Sequence, residues 1–342
     1  MAVEYRPIHI DDDEAILDLW TRVYPDSDRM EWRDSWHTNT LRLTQTYVAI
    51  EHGRVLATVV YWLRHIPDTN GTPTLVGLVS HVMTHPDARR QGHATCLLEQ
   101  ALEAMRRDGC AWSILFPSEE GRPLYARHAY RSFSIRYQEG RLTSGRLRAE
   151  THYDITPYDP LREADGWAPL EAIYAAYNAT RPLTVVRTSA YWQQRAVFQF
   201  TRWFKSFGAV VFIARRSLVP HSICGYVLAH FHDEDYIHDH PGALPAFLVS
   251  EIGSLPGNSA VIPALLDMVG DEAARRGIHH GRIMLPDDPS IKAMTDRLFV
   301  STLNKVEHDK MMARPLGAGW DAHTVEALFA APDAHFWSID EI

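Results

Sequence analysis

Polar and apolar residues alternate from Val3 to Ile10, and the acidic triplet Asp11-Asp12-Asp13 then precedes the apolar-periodic run AILDLW. The alternation predicts a strand, and carboxylates at the head of the next segment suit the unpaired N–H groups of a starting helix. Tyr47 to Ile50 and Val55 to Trp62 are β-rich runs joined by Glu-His-Gly-Arg, where Gly53 can supply the positive φ of a hairpin. A polar turn, Asp68 to Gly71, leads to an extended run from Thr74 to Thr84 that His85-Pro86 stops. From Gly92 to Arg107 the residues Ala94, Leu97, Leu98, Ala101, Leu102 and Met105 recur at helical spacing, and Asp108-Gly109 ends the pattern.

Trp112 to Phe116 reads as a short buried strand, Pro117 to Pro123 as loop, Leu124 to Ala129 as a short helix and Arg131 to Tyr137 as a last strand. The order is that of an α/β chain mixing hairpin and crossover connections, with one domain complete by about residue 145 and a polar, basic linker at Gln138 to Arg148. The second half repeats the rhythm: a helix at Pro169 to Tyr177, strands at Ala209 to Ala214, Ile223 to Phe231 and Ala246 to Ile252, a helix from Ala260 to Arg276, and a strand at His280 to Leu285. The expected organisation is a first domain over 1–145 and a second copy of the same fold over 146–342.

A chain of 342 residues with 46% hydrophobic and 23% charged residues has the composition of packed globular domains, and its length favours two of them. A net charge of −9 excludes a general affinity for nucleic acid, which needs a surplus of Lys and Arg. Cys96, Cys110 and Cys224 stand apart without a CxxC pair, so no disulfide framework or cysteine zinc site is indicated and a reducing cytoplasm fits. Neither a leader pattern nor a run of about 18 apolar residues is present, so no membrane association is expected.

Chemistry concentrates in Val82-Met83-Thr84-His85-Pro86-Asp87-Ala88-Arg89-Arg90-Gln91-Gly92-His93-Ala94, a strand end, a turn and a helix start. The first turn of a helix presents unpaired N–H groups at the positive end of its dipole, so a diphosphate can dock there. Gly92 lets the backbone approach the phosphates closely, small Ala94 leaves room, and Arg89 and Arg90 add positive charge.

This segment resembles the GNAT superfamily of N-acetyltransferases, whose signature [Q/R]xxGx[G/A] is met by Arg89, Gly92 and Ala94 in the same strand-turn-helix setting. The resemblance implies two tandem GNAT-like domains, each a mixed, mostly antiparallel twisted sheet flanked by helices. It further implies that Val82, Met83 and Thr84 hold the pantetheine arm of acetyl-CoA and that Arg90, Gln91, Gly92, His93, Ala94 and Thr95 hold its pyrophosphate. Ser118 and Glu119 count with the cofactor-binding residues on the same ground. Tyr125 takes the family's position near the thioester sulfur, where a phenol protonated at neutral pH can give its proton to the departing thiolate. Tyr125-Ala126-Arg127-His128-Ala129-Tyr130, with Arg187 and Tyr191 to Arg195, looks like the enhanced intracellular survival group of tandem GNAT enzymes. The residues after Leu316 are too few for that group's additional C-terminal domain.

The second half has no comparable cradle: Ser254-Leu255-Pro256-Gly257-Asn258-Ser259-Ala260 carries no basic residue, so that copy is expected to be non-catalytic. The general base stays open among His81, a water held by Ser80, and the carboxylate of Ile342 that the related group suggests; His81 is equally readable as a hydrogen-bonded core residue. The cluster from His230 to His240 reads as a polar connection between strands rather than a metal site, and no metal is expected. Trp167, Trp192, Trp203 and Trp337 suit either a cleft or a core. The expected function is acetyl transfer to the amine of a small molecule by direct attack on the thioester. The alternative is a silent acyl-CoA-binding or sensor protein, and a longer acyl group is also open. The sequence defines no oligomeric state.

Overall fold

The computed structural model describes residues 2–25, 28–143, 152–195, 208–217, 219–240, 242–317 and 319–340. Ile342 and Trp203, singled out above, lie outside them. The backbone divides into two compact units, the first made of Met1–Ile66, Pro73–Ser134 and His308–Ala327, the second of Pro67–Thr72, Ile135–Glu307 and Leu328–Ile342. The sequence suggested one cut near 145, whereas the chain crosses between the units several times.

In the first unit the strands β1 (Glu4–Pro7), β2 (Thr46–Glu51), β3 (Arg54–Pro67), β4 (Pro73–Thr84) and β5 (Trp112–Leu115) are neighbours in that order. β1, β2 and β3 pair antiparallel and β4 runs parallel to β5. Two helical layers cover the sheet. Helix α1 (Asp13–Val23) and α2 (Arg29–Thr38) bury Ile16, Leu17, Leu19, Trp32 and Trp36 against Val48, Val55, Val60 and Met83. A separate cluster packs α4 (His93–Arg107), which follows the single-turn α3 (Arg42–Gln45), against Ala49, Ala57, Val59, Tyr61 and Val79.

α4 forms where the sequence predicts it, with Leu97, Leu98, Ala101, Leu102 and Met105 buried at helical spacing. It ends in a Schellman turn: Gly109 at φ +83° lets Cys110 N–H reach Met105 O at 2.9 Å and Gly109 N–H reach Arg106 O at 3.1 Å. Near its C-terminal end the helix lies so close to β4 that a Cβ on Gly77 would stand 2.2 Å from the Met105 sulfur. A side chain at residue 77 would displace the Met105 side chain from between helix and strand.

The second unit repeats the arrangement with β7 (Tyr153–Tyr158), β8 (Ala209–Arg216), β9 (Val219–His232), β10 (Ala246–Ser254) and β11 (His280–Ile283), again antiparallel up to a parallel last pair. The sixth strand of each sheet comes from the other half of the sequence. β6 (Arg131–Leu142) continues through the expected linker and pairs Gln138–Arg141 with β11. β12 (Phe299–Pro315) brings Met312–Pro315 back to β5. The two copies thus exchange their last strands.

His335 is buried in the second unit, edge-on to Trp337 at 4.4 Å. Burial, and secondarily the Arg181 charge, lowers its pKa to about 3. The unfolded imidazole titrates near 6.5, so between about 6.5 and 3 only the unfolded chain takes up this proton. The contribution to stability is complete above that window and drains as the pH falls through it. The urea midpoint is expected to drop between pH 7.5 and 5, and His335→Gln to flatten that dependence.

Candidate functional site: a cradle at the head of α4 beside a splayed pair of strands

The parallel ladder between β4 and β5 runs from Val76↔Trp112 to Val79↔Leu115, while β4 continues to Thr84. Two residues beyond the last pair, His81 adopts φ +48°, a left-handed conformation that a β-strand accepts only where it is kinked. Thr58 Oγ1 donates to the His81 carbonyl at 2.9 Å and holds the kink from β3. Val82, Met83 and Thr84 therefore lie on a stretch of β4 that has left its parallel neighbour. Met83 is buried toward α1 and α2, and Val82 packs toward α4.

At the end of β4 the turn folds tightly, with Arg90 at φ +62° and Gly92 at φ +87°. Gly92 occupies the N-cap of α4 without a side-chain cap, and the first return bond is Cys96 N–H to Gly92 O at 3.1 Å. The N–H groups ahead of Cys96 are the orphans of a helix start. They stand over a cavity of about 420 Å³ lined by Thr84, Ala88, Arg89, Arg90, Gly92, His93, Ala94 and Thr95, with Leu124 and Arg127 from the short helix α5 (Arg122–Arg127) opposite. A Cβ on Gly92 would meet nothing within 4 Å, so the space beside it is open.

His93 adds a specific sign of an anion site. Its Nδ1 bonds the Tyr5 hydroxyl at 2.8 Å, while its Nε2 is buried and has no partner. A buried imidazole nitrogen left unpaired is costly unless a ligand completes it. The donors fit the diphosphate of an acyl-CoA: helix N–H groups, one imidazole nitrogen and three guanidinium groups around one cavity. A larger cavity of about 660 Å³ is lined by residues of α1, Gly53 to Val55 and His85.

Of the residues anticipated from the sequence, Thr84, Arg89, Arg90, Gly92, His93, Ala94 and Thr95 meet at this cavity. Gln91 turns back, its Nε2 donating to Asp87 O at 3.1 Å. Ser118 and Glu119 lie exposed in the loop after β5, where Ser118 Oγ accepts from Gly121 N–H at 3.1 Å. Arg127 and Leu124 were missed; their one signal in the sequence is their place on the helix that carries Tyr125.

Tyr125 is 7% exposed, and its ring stands edge-on to Tyr130 at 6.0 Å. Its hydroxyl makes no hydrogen bond to a described residue. Burial chiefly, then the Tyr130 and Tyr24 phenols, push its pKa up, so the proton stays on oxygen at neutral pH. Tyr24 in turn feels the Arg89 charge and lies 4.4 Å from the Trp20 ring. Trp20 reaches His81 at 5.7 Å, so rings run from Tyr24 to the kink in β4.

His81 sits in a fixed hydrogen-bond chain. Trp62 Nε1–H donates to Ser80 Oγ at 2.7 Å, and Ser80 Oγ lies 2.7 Å from His81 Nδ1. With Nδ1 accepting from the Ser80 hydroxyl the ring proton sits on Nε2, and with Nδ1–H donating the lone pair lies on Nε2. Burial lowers the imidazole pKa to about 4 and keeps it neutral. An imidazole of so low a pKa is a weak base.

The equivalent position of the second unit is closed. Its parallel ladder ends at Val249↔Ile283, and two residues on stands Glu251, beside a register shift in β10. Arg187 binds the Glu251 carboxylate at 3.0 and 2.5 Å and the Asp340 carboxylate at 3.0 Å, all three buried. Tyr226 donates to Glu251 at 2.5 Å, Tyr191 donates to Asp340, and the guanidinium lies 3.8 Å over the Tyr174 ring. Trp167 and Trp192 stack at 6.0 Å, and Trp192 and Trp337 belong to this unit's core. The segment from Glu234 to Asp239 is a short helix, and among the described residues no group of three or more His, Cys, Asp or Glu is placed to hold a metal.

Residues 4–133 match the family model for the acetyltransferase (GNAT) domain. The chain resembles a GCN5-related N-acetyltransferase from Anabaena variabilis at 14% identity, over 92% of this chain and 73% of that one, with a TM-score of 0.68. Eis1 from Mycobacterium abscessus aligns at 16% identity, over 92% and 74%, with a TM-score of 0.61. A tandem GNAT protein from the clavulanic acid biosynthesis pathway aligns at 14% identity, over 93% and 100%, with a TM-score of 0.52. No curated protein sequence matches. Residues 4–133 are therefore similar to a GNAT acetyltransferase domain, a likeness that supports acyl transfer in general. The whole chain has the tandem GNAT fold that includes the Eis proteins. No helix among the described residues is long and apolar enough to cross a membrane.

Proposed function

We propose that the protein is an acetyl-CoA-dependent N-acetyltransferase acting on the primary amine of a small molecule. The observation that carries this is the cavity at the head of α4, with its uncapped N–H groups, Gly92, the unpaired His93 nitrogen and Arg89, Arg90 and Arg127, next to a strand that has parted from its neighbour. The turn and His93 would hold the diphosphate, and the freed backbone of Val82 to Thr84 the pantetheine arm. When bound, acetyl-CoA supplies the acetyl thioester.

The neutral amine attacks the thioester carbonyl, the C–N bond forms, and the C–S bond breaks as the tetrahedral intermediate collapses. Tyr125, protonated and unbonded, gives its proton to the leaving sulfur, and the proton lost by the amine passes through water to restore the phenol. His81, an imidazole of pKa about 4, stays neutral throughout the working range. Holding the amine against the thioester accounts for much of the remaining rate. The second unit, its kink filled by Arg187, Glu251 and Asp340, acts without a cofactor of its own.

Following free thiol with acetyl-CoA and a panel of amines tests the transferase reading, and calorimetry with coenzyme A should give one site per chain. Tight binding with no thiol release for any amine would favour the silent acyl-CoA-binding reading. Gly92→Ala forces a left-handed L-residue, a cost of roughly 1–2 kcal/mol, and should weaken coenzyme A about tenfold. Unchanged affinity would remove this turn from the cofactor site.

A further inference from the structure

The face of the first unit opposite α4 carries a group of rings around the kinked His81. Trp20 lies 3.7 Å from Trp32 between ring centroids, Trp32 meets His81 edge-on at 4.9 Å, and Trp62 closes the other side at 6.4 Å. Trp32 is buried as support, whereas Trp20, Trp62 and His81 are partly exposed and Tyr24 is 44% exposed, so the group has an open side. Charge is arranged against a polycation. The carboxylate at its base, Asp13, accepts from Trp36 Nε1 at 2.7 Å and pairs with Arg42 at 3.0 Å, and the Arg64 guanidinium lies 5.3 Å over Trp62.

Resting on the transferase reading above, we propose that this ring group is the acceptor subsite and that it takes an arylalkylamine: an aromatic body packed on Trp20 and Trp62, with one primary amine delivered beside His81. Edge-to-face and offset contacts favour a ring over an alkyl chain of equal size. An acceptor with several ammonium groups meets Arg64 and finds Asp13 already neutralised. The hydrogen bond from Trp62 to Ser80 fixes that indole, so the subsite is formed in advance of binding.

Initial rates with acetyl-CoA and 2-phenylethylamine, n-hexylamine or spermidine test this directly. A kcat/KM for 2-phenylethylamine about tenfold above both others is expected. Trp20→Leu should erase that preference mainly through a raised KM for 2-phenylethylamine, and Trp62→Phe, which keeps a ring but loses the N–H, should retain it. Spermidine preferred, or phenylethylamine and hexylamine equal, overturns the aryl subsite and leaves the transferase reading intact. Silence with all three amines despite coenzyme A binding overturns both.

Discussion

Tyr125→Phe is expected to lower kcat by about 10²- to 10⁴-fold, the usual worth of a positioned general acid, with the dissociation constant for coenzyme A unchanged. The separation is clean because the hydroxyl bonds no described residue, so its removal breaks nothing in the fold, and the ring keeps its contact with Tyr130 at 6.0 Å. Burial holds the phenol pKa above its ordinary value, so the acid form is present through neutral pH. The loss should be equal in kcat and kcat/KM, because the proton moves only as the C–S bond breaks. Thiol release at the wild-type rate would take Tyr125 out of the reaction, and the thiolate would then have to leave unprotonated or through water.

Arg187→Met should be the most damaging substitution to stability. The guanidinium has 2% exposed side-chain area, and its partners Glu251 and Asp340 have 2% and 0%. Removing the cation leaves two buried carboxylates facing each other, a loss of about 3–5 kcal/mol. For a unit of this size that corresponds to a melting shift on the order of 10 °C. Glu251→Gln and Asp340→Asn on the Arg187→Met background should recover part of the loss, because each removes a charge without changing shape. A shift below about 1 kcal/mol would mean that the network is hydrated rather than closed.

The first unit was largely readable because its elements are specified locally. α4 has its apolar stripe, its Gly109 stop and its Gly92 start within one stretch of sequence, and the hairpin from Tyr47 to Trp62 needs only a glycine turn. The cradle was readable for the same reason: seven of its lining residues follow one another through one turn. Arg127 was not, since an arginine on a short helix carries no periodic signal, nor was the hydrogen-bond chain at His81, which reaches an indole 19 residues earlier at Trp62. α2, with exposed Met30 beside buried Trp32 and Trp36, has too mixed a pattern to stand out. Gln138 to Leu142 looked like a linker because its polar residues belong to a strand whose partners, β11 and β12, come far later in the chain.

The exchanged sixth strands carry a consequence for synthesis. β5 is the edge of the first sheet until Met312–Pro315 arrives, about 200 residues after Trp112–Leu115 leaves the ribosome. Until then the nascent first half presents an unpaired strand edge, the feature that most readily captures another chain. Neither half can finish its own sheet alone, so the first unit is complete only once β12 has been made. A fragment ending near residue 145 would keep the turn at the head of α4 and lose the strand that pairs with β5.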